Sequence, residues 1–504
     1  MAERYDLVII GTGAAGLSTA LAAKGLRVAV LCKGVFGLDG SSCWAQSGIA
    51  ASLSNADSTI QHAAETLAGG SKAGNKMAVR WMVEDAPDVV SWLSGYGVQW
   101  DRAVQGALLS RAAAHGVARV LHAGGDATGA EIMRALRDAV SNSRNIEVFE
   151  FTEVERLIKM QGKVVGAHAR TKRGEQFELY AQNVVLATGG LGQLYRHTTN
   201  PVEATGAGIA LAHAAGAALS DMEFMQFHPT ALANRTAGDV DQLPLITEAL
   251  RGAGARLVNN AGVRFMASVH EHAELAPNDV AARAVFTQME LGHEVYLDAR
   301  QLGDAIRVRF PTAFAACHTR GIDPRFDLIP VMPAAHFHMG GVKVDMHSST
   351  SLPGLFAVGE VACTGVHGAN RLGGNALLEA LSFGRTLGER LARQGTSNQT
   401  LSDDGSVPIR RVSTAPVSES LVYNRLRTLM WGFVGIQRSS DGLNNALDQL
   451  QLLEKRCLSG SKALDQLLVA RLITEAALAR TQSIGAHIRV ENSAFGRMSS
   501  AAVA

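Results

Sequence analysis

The chain has 504 residues, 47% hydrophobic and 18% charged, a balance that builds large buried cores and excludes a disordered chain. Lysine plus arginine (47) nearly cancel aspartate plus glutamate (46), so no charge bias points to nucleic acid or an anionic membrane surface. The five cysteines, at 32, 43, 317, 363 and 457, form no CxxC, which argues against a disulfide framework, zinc or an iron–sulfur cluster and suits a reducing cytoplasm. The length corresponds to about three domains. A strand-like run begins by Tyr5, which predicts no signal peptide. The charge-free stretch from Leu7 to Ala23 contains three glycines and reads as strand, turn and helix, not as a membrane span.

In chain order, residues 5–10 (YDLVII) form a continuous apolar run, as expected of a buried parallel strand. GTGAAG follows at 11–16, then a helical stretch over 17–24 and a second buried strand over 27–32 (RVAVLC). Two later short strands end in glycine, NVVL at 183–186 before ATGG and GLFAV at 354–358 before Gly359 and Glu360. Between them, residues 222–335 lose this rhythm and hold many His, Arg and Glu, which predicts an inserted domain. Residues 394–416 are polar and read as a linker, and the chain beyond 418 is patterned as a helical bundle. The expected class is α/β: a Rossmann-like domain (1–221 and 338–405), an inserted α+β capping domain (222–337) and a C-terminal helical domain (416–504).

Gly11, Gly13 and Gly16 fit GxGxxG between two apolar strands. The first glycine makes the turn, the second lets backbone approach a pyrophosphate, and the third lets helix and strand pack. The plain alternative is a tight strand–helix turn with no ligand. At the end of the second strand, where an acidic residue usually holds ribose hydroxyls, the chain has Cys32 and Lys33. ATGG at 187–190, GLFAVGE at 354–360 and the loop GSSCWAQSG at 40–48 favour FAD, which needs a long groove covered by several loops.

Together these segments, with HAGGDATG (122–129), QFHPT (226–230), TEALRG (247–252), ELAPNDVAAR (274–283) and PAAHFHMGGVKVD (333–345), resemble the flavoprotein family of succinate dehydrogenase, fumarate reductase and L-aspartate oxidase over nearly the whole chain. The aspartate-oxidase branch is the nearer likeness. Ser41 stands where the respiratory enzymes carry the histidine that attaches FAD, so the resemblance implies non-covalent FAD. Met430, Trp431 and VGIQR (434–438) resemble that branch's helical domain.

An arginine fork suits a carboxylate because it gives two parallel hydrogen bonds. The resemblance implies that His228, His336 and Arg371 clamp the two carboxylates of a dicarboxylate, with Thr247 and Glu248 adding contacts. It implies Arg283 as the proton donor or acceptor, relayed by Glu248 and Arg251. The expected cofactor residues are Gly11, Thr12, Gly13, Ala14, Ala15, Gly16, Lys33, Ser41, Ser42, Cys43, Trp44, Ala45, Gln46, Ser47, Gly48, Glu360, Asn375, Ala376 and Leu377, with the helix starting near Asn375 aimed at the flavin; no metal is expected. The implied reaction is FAD-dependent oxidation of L-aspartate to iminoaspartate, with O2 or fumarate as acceptor. The product would be handed transiently to quinolinate synthase, with no nucleic-acid or membrane partner.

Structural readings stand beside these. A lone core histidine is usually only hydrogen-bonded structure, Arg283 could be a solvated surface charge, and Trp431 and Met430 read as core packing. His338, two residues past His336, turns to the opposite face of a strand. His367 is open between the two readings, and nothing near Cys43 argues for redox work. The chain also departs from the aspartate-oxidase pattern. Ala112 stands where that pattern has the Glu that meets the substrate amine. Ala207 stands for an Asp that contacts FAD, Ala253 for a Glu and Ser47 for a Gly. Residues 373–376 (GGNA) resemble fumarate reductases. Soluble fumarate reduction is therefore the alternative activity, and a degraded, non-catalytic relative the third reading.

Overall fold

The computed structural model describes residues 3–103, 106–234, 242–395, 419–457 and 461–490. Of the expected linker, residues 396–416 lie outside them, as do residues 396–405 of the first expected domain and 491–504 of the last.

Strand Glu3–Ile10 lies inside a seven-stranded sheet, parallel to Val28–Leu31 on one side and to the end of Gln176–Leu186 on the other. Side chains alternate across a strand, so its apolar run feeds two cores. Leu7 and Ile9 face one layer, built with the helices Ala14–Ala22, Lys76–Gly95, Thr128–Ser141 and Asn375–Gln394. Tyr5, Val8 and Ile10 face the other, where Leu426, Met430, Leu443, Leu467 and Ile473 of the C-terminal helices are buried. Those helices (Glu419–Phe433, Ser440–Arg456 and Ala463–Ala479) therefore share a core with the nucleotide-binding sheet.

Two local boundaries differ from expectation. The first helix begins at Ala14, directly after the extended Gly13, and stops at Ala22. The run 183–186 is only the end of the strand Gln176–Leu186. The strand's first half alternates polar and apolar residues and pairs antiparallel with Lys163–Thr171, whereas its last three residues are fully buried and join the parallel set through Leu355–Ala357.

The inserted region forms a four-stranded antiparallel sheet, ordered Met225–Leu232, Ile329–His338, Val295–Asp298 and Arg256–Asn259. Helix Asn278–Glu290 packs on it over a separate core that includes Leu250, Leu257, Ala281, Val285 and Leu297. The two longest strands of this sheet run back to the first domain, because Met225, Phe227 and Ala335 belong to the main core. The strands that carry His228 and His336 are thus held against the first sheet's core.

Candidate active site

A groove of about 610 Å³ runs from the glycine corner across the carboxyl ends of the parallel strands, where open α/β sheets bind ligands. Gly11 adopts φ +116°, and a Cβ there would run into the Ala187 carbonyl, so only glycine closes this corner. The Ala14 amide donates to Ser42 Oγ at 3.0 Å, which pulls the loop at 40–48 over the helix N-terminus.

Of the residues expected to hold the cofactor, Gly11, Thr12, Gly13, Ala14, Ala15, Lys33, Ser41, Ser42, Trp44, Ala45, Gln46, Ser47, Gly48, Glu360, Ala376 and Leu377 line this groove. Gly16, Cys43 and Asn375 do not line it. Gly16 packs on the Gly11 carbonyl, Cys43 Sγ donates to the Gly37 carbonyl at 3.0 Å, and Asn375 turns its amide to His62 and Thr66. The groove fits a dinucleotide. It has bare backbone at the phosphate corner, and the buried Gln46 Oε1 has no partner among the described residues.

The missing acid of the second strand has a counterpart elsewhere. Glu153, from strand Thr152–Met160, lines the groove and pairs with Lys33 Nζ at 3.3 Å and with Lys462 at the start of the last helix. Glu360 is half-buried in the groove wall and accepts from the His338 amide at 2.9 Å; burial pushes its carboxyl up to about 7.

The residues expected on the substrate side come together at the cap end. The His228 and His336 rings lie 5.0 Å apart on neighbouring strands. His228 Nδ1 accepts from the Thr230 amide at 3.2 Å, which leaves Nε2 as a buried donor without a partner. His336 Nδ1 meets Thr199 Oγ1 at 2.7 Å. Burial holds His228 well below the usual imidazole range and His336 down to about 3, with Arg371 adding to both, so both rings are neutral. Arg371 is buried over the Phe337 ring at 5.2 Å. It makes no ion pair among the described residues, and its Nε has no partner. His336 and Arg371 reach the groove surface, whereas His228, Thr247, Glu248, Arg251 and Arg283 do not line it.

Thr247 caps the short helix Glu248–Gly252, and its Oγ1 accepts from the Ala249 amide at 3.3 Å. That turn places Glu248 Oε2 and Arg251 Nη2 4.0 Å apart. Asn278 bridges them, donating to Glu248 at 2.8 Å and accepting from Arg251 at 2.5 Å. Glu248 Oε1 has no partner among the described residues. Arg283 is half-buried one turn after Asp279 on the cap helix, and its side chain makes no hydrogen bond among the described residues. Asp279 accepts from Asn370, which itself accepts from Gln226. His338 turns away to the Met222 carbonyl, and His367 pairs with Glu379.

Sequence reasoning did not single out Asn278, Thr199, Glu153 or Gln226. Asn278 lies inside ELAPNDVAAR, the one signal that could have found it.

Comparison with known proteins follows this geometry. The FAD binding domain family matches residues 6–377. L-aspartate oxidase of Mesorhizobium japonicum is 43% identical over 486 residues, 96% of this chain and 91% of that protein. The Streptomyces coelicolor enzyme of the same name is 41% identical over 520 residues, 97% of this chain and 88% of that protein. Among solved structures, the E. coli quinol fumarate reductase flavoprotein superposes with a TM-score of 0.86 at 29% identity, covering 98% of this chain and 92% of that one. No helix among the described residues is long and apolar enough to cross a membrane. The chain belongs to the L-aspartate oxidase family of FAD-binding flavoproteins.

Proposed function

We propose that this chain oxidises L-aspartate to iminoaspartate with FAD, as the first step of NAD biosynthesis through quinolinate. FAD, held along the groove by the glycine corner and the loop at 40–48, would supply the hydride acceptor for C2 of the amino acid, with O2 or fumarate as the final acceptor.

The observation that carries this reading is the buried, unpaired Arg371 beside two neutral histidines. Among the described residues its guanidinium has only the Leu372 carbonyl, at 3.4 Å, and no carboxylate in ion-pair reach; a charge so buried is costly, and a substrate carboxylate supplies the counter-charge. Arg371 gives that carboxylate a planar fork, while His228 Nε2–H and His336 give neutral donors that add no competing charge. Thr247 fixes the turn that sets Glu248 beside Arg251. The proton lost by the amine passes through Arg283, Arg251 and Glu248; Asn278 holds the last two in register, and the free Glu248 Oε1 can accept.

The same reading divides the chain into a FAD-binding unit (1–221 and 338–405), a cap (222–337) and a helical unit (416–504). It places the protein in the cytoplasm, handing its imine product to quinolinate synthase. Anaerobic L-aspartate, but not D-aspartate, should bleach the visible flavin band of the purified holoprotein.

Fumarate reduction is the second reading, favoured by the small Ala112, which is buried with Ala50 and Val120 directly after the Arg111 carbonyl that faces Gly252. A flavin that stays yellow with L-aspartate while the protein oxidises a reduced dye with fumarate would establish it instead.

A further inference from the structure

His115 lies outside the groove, yet it is tied to the loop that carries Arg371. The ring is fully buried. Its Nε2 is 2.9 Å from the Gly373 carbonyl, and its Nδ1 is 2.9 Å from Arg119 Nη1. A carbonyl and a guanidinium allow only one tautomer: Nε2 carries the hydrogen and donates to Gly373, and Nδ1 accepts from Arg119. Arg119 is itself held on several sides. It has no exposed surface, makes two bonds to Asp57 at 2.8 and 2.9 Å and a third to Glu65.

The far end of this chain of bonds is the active site. Gly373 packs so closely on Glu248 that a Cβ would run into Oε1, the carboxylate oxygen without a partner. Arg371 stands two residues before Gly373; Gly374, Ala376 and Leu377 beyond it form groove wall. Beside His115, His62 holds Asn375 through Oδ1 at 2.9 Å, and the two imidazole centroids lie 6.2 Å apart. Gln226 holds the Arg371 carbonyl at 2.7 Å and the Ala50 amide donates to the Gly374 carbonyl at 3.1 Å; between them the loop is gripped from beneath at Gly373 and, just beyond, at Asn375.

We infer that His115 is a positioning residue for the oxidation: through its bond to the Gly373 carbonyl it sets Arg371 and the groove wall against each other and seats the peptide against Glu248. The effect is one of alignment, where a shift of about 1 Å costs about a hundredfold in rate. It rests on the substrate roles assigned above to Arg371 and Glu248.

Two near-isosteres separate positioning from mere support. In H115Q the side-chain amide reaches the place of Nε2 and keeps the donor to Gly373, losing the acceptor for Arg119. In H115N the amide oxygen takes the place of Nδ1 and keeps the acceptor, losing the donor. The full-length holoprotein of each is measured for kcat and KM with L-aspartate, for FAD affinity by flavin fluorescence and for melting temperature. The expected result is an H115Q enzyme within about threefold of wild type. H115N should lose about ten- to hundredfold in kcat, with a smaller change in KM and unchanged FAD affinity. Equal losses in both variants, or a larger loss in H115Q, would assign His115 to the support of Arg119 and overturn the inference. If H115N does not fold, H115L, which lacks both bonds, takes its place. Failure of both to fold beside a folded H115Q likewise makes His115 structural and overturns it. R371Q is assayed in parallel: if it turns over normally, the substrate reading has failed whatever the His115 variants do.

Discussion

Asn278 donates to Glu248 Oε2 at 2.8 Å and accepts from Arg251 at 2.5 Å, so one amide on the cap helix holds a carboxylate and a guanidinium that the short helix Glu248–Gly252 brings only to 4.0 Å. The expected proton relay is thus a three-residue arrangement. Replacing Asn278 by Leu strips Glu248 of that bond and leaves buried Arg251 with the Glu274 carbonyl alone. Since an unsatisfied buried polar group costs about 1–3 kcal/mol, more if charged, we expect a lower melting temperature together with a loss of turnover of at least tenfold. Calorimetry and steady-state kinetics on the same preparation check both.

Arg371→Gln removes the charged fork and keeps most of the volume. A hydrogen bond to a charged group contributes about 1.5–3 kcal/mol, or about one to two powers of ten. The kcat/KM for L-aspartate should fall by that amount while the protein still purifies yellow. A change below threefold would remove Arg371 from the substrate site.

Gly11→Ala places a Cβ against the Ala187 carbonyl at a backbone φ of +116°. The corner must open, and the pyrophosphate loses its close approach. The variant should purify colourless and bind added FAD weakly, as read by quenching of flavin fluorescence. Wild-type protein precipitated with acid should in turn release all its flavin, because Ser41 offers no imidazole for a covalent bond.

Buried histidines weaken the fold in acid, and beside His228 and His336 three more act in this way. Burial lowers His62 to about 3 and His338 and His487 to about 4, against about 6.5 in the unfolded chain. Below pH 6.5 the unfolded state takes up protons that the folded state refuses. Stability is therefore fully present above pH 6.5 and is lost as pH falls towards 4. Melting temperatures across pH 4–8 should decline over that window. His62→Gln, which keeps a donor or acceptor for Asn375, should make the decline shallower.

The glycine corner and the histidine pair were legible because each is local. GxGxxG between apolar strands needs only neighbouring residues to define it, and His228 and His336 sit in short, distinctive segments. Contacts between distant segments were not legible. Thr199 reaches His336 across 137 positions, and Glu153 meets Lys462 across 309. Asn375 marked a helix start correctly, but its side chain faces His62 because the first helical residue can turn to either side of the turn. The antiparallel half of the strand Gln176–Leu186 was hidden because its alternating pattern fits any half-buried strand.

Lys462 opens the last helix and reaches Glu153 in the groove wall, so a segment more than 400 residues from the glycine corner touches the cofactor's enclosure. Ligand binding to the folded form alone adds RT ln(1 + [L]/Kd), about 2.7 kcal/mol at a hundredfold excess over Kd. Part of that gain passes to the C-terminal helices through this bond and the shared core. Loss of flavin and melting of the last helix should then coincide in a single thermal transition, and proteolytic nicking near the start of that helix should slow as FAD is added.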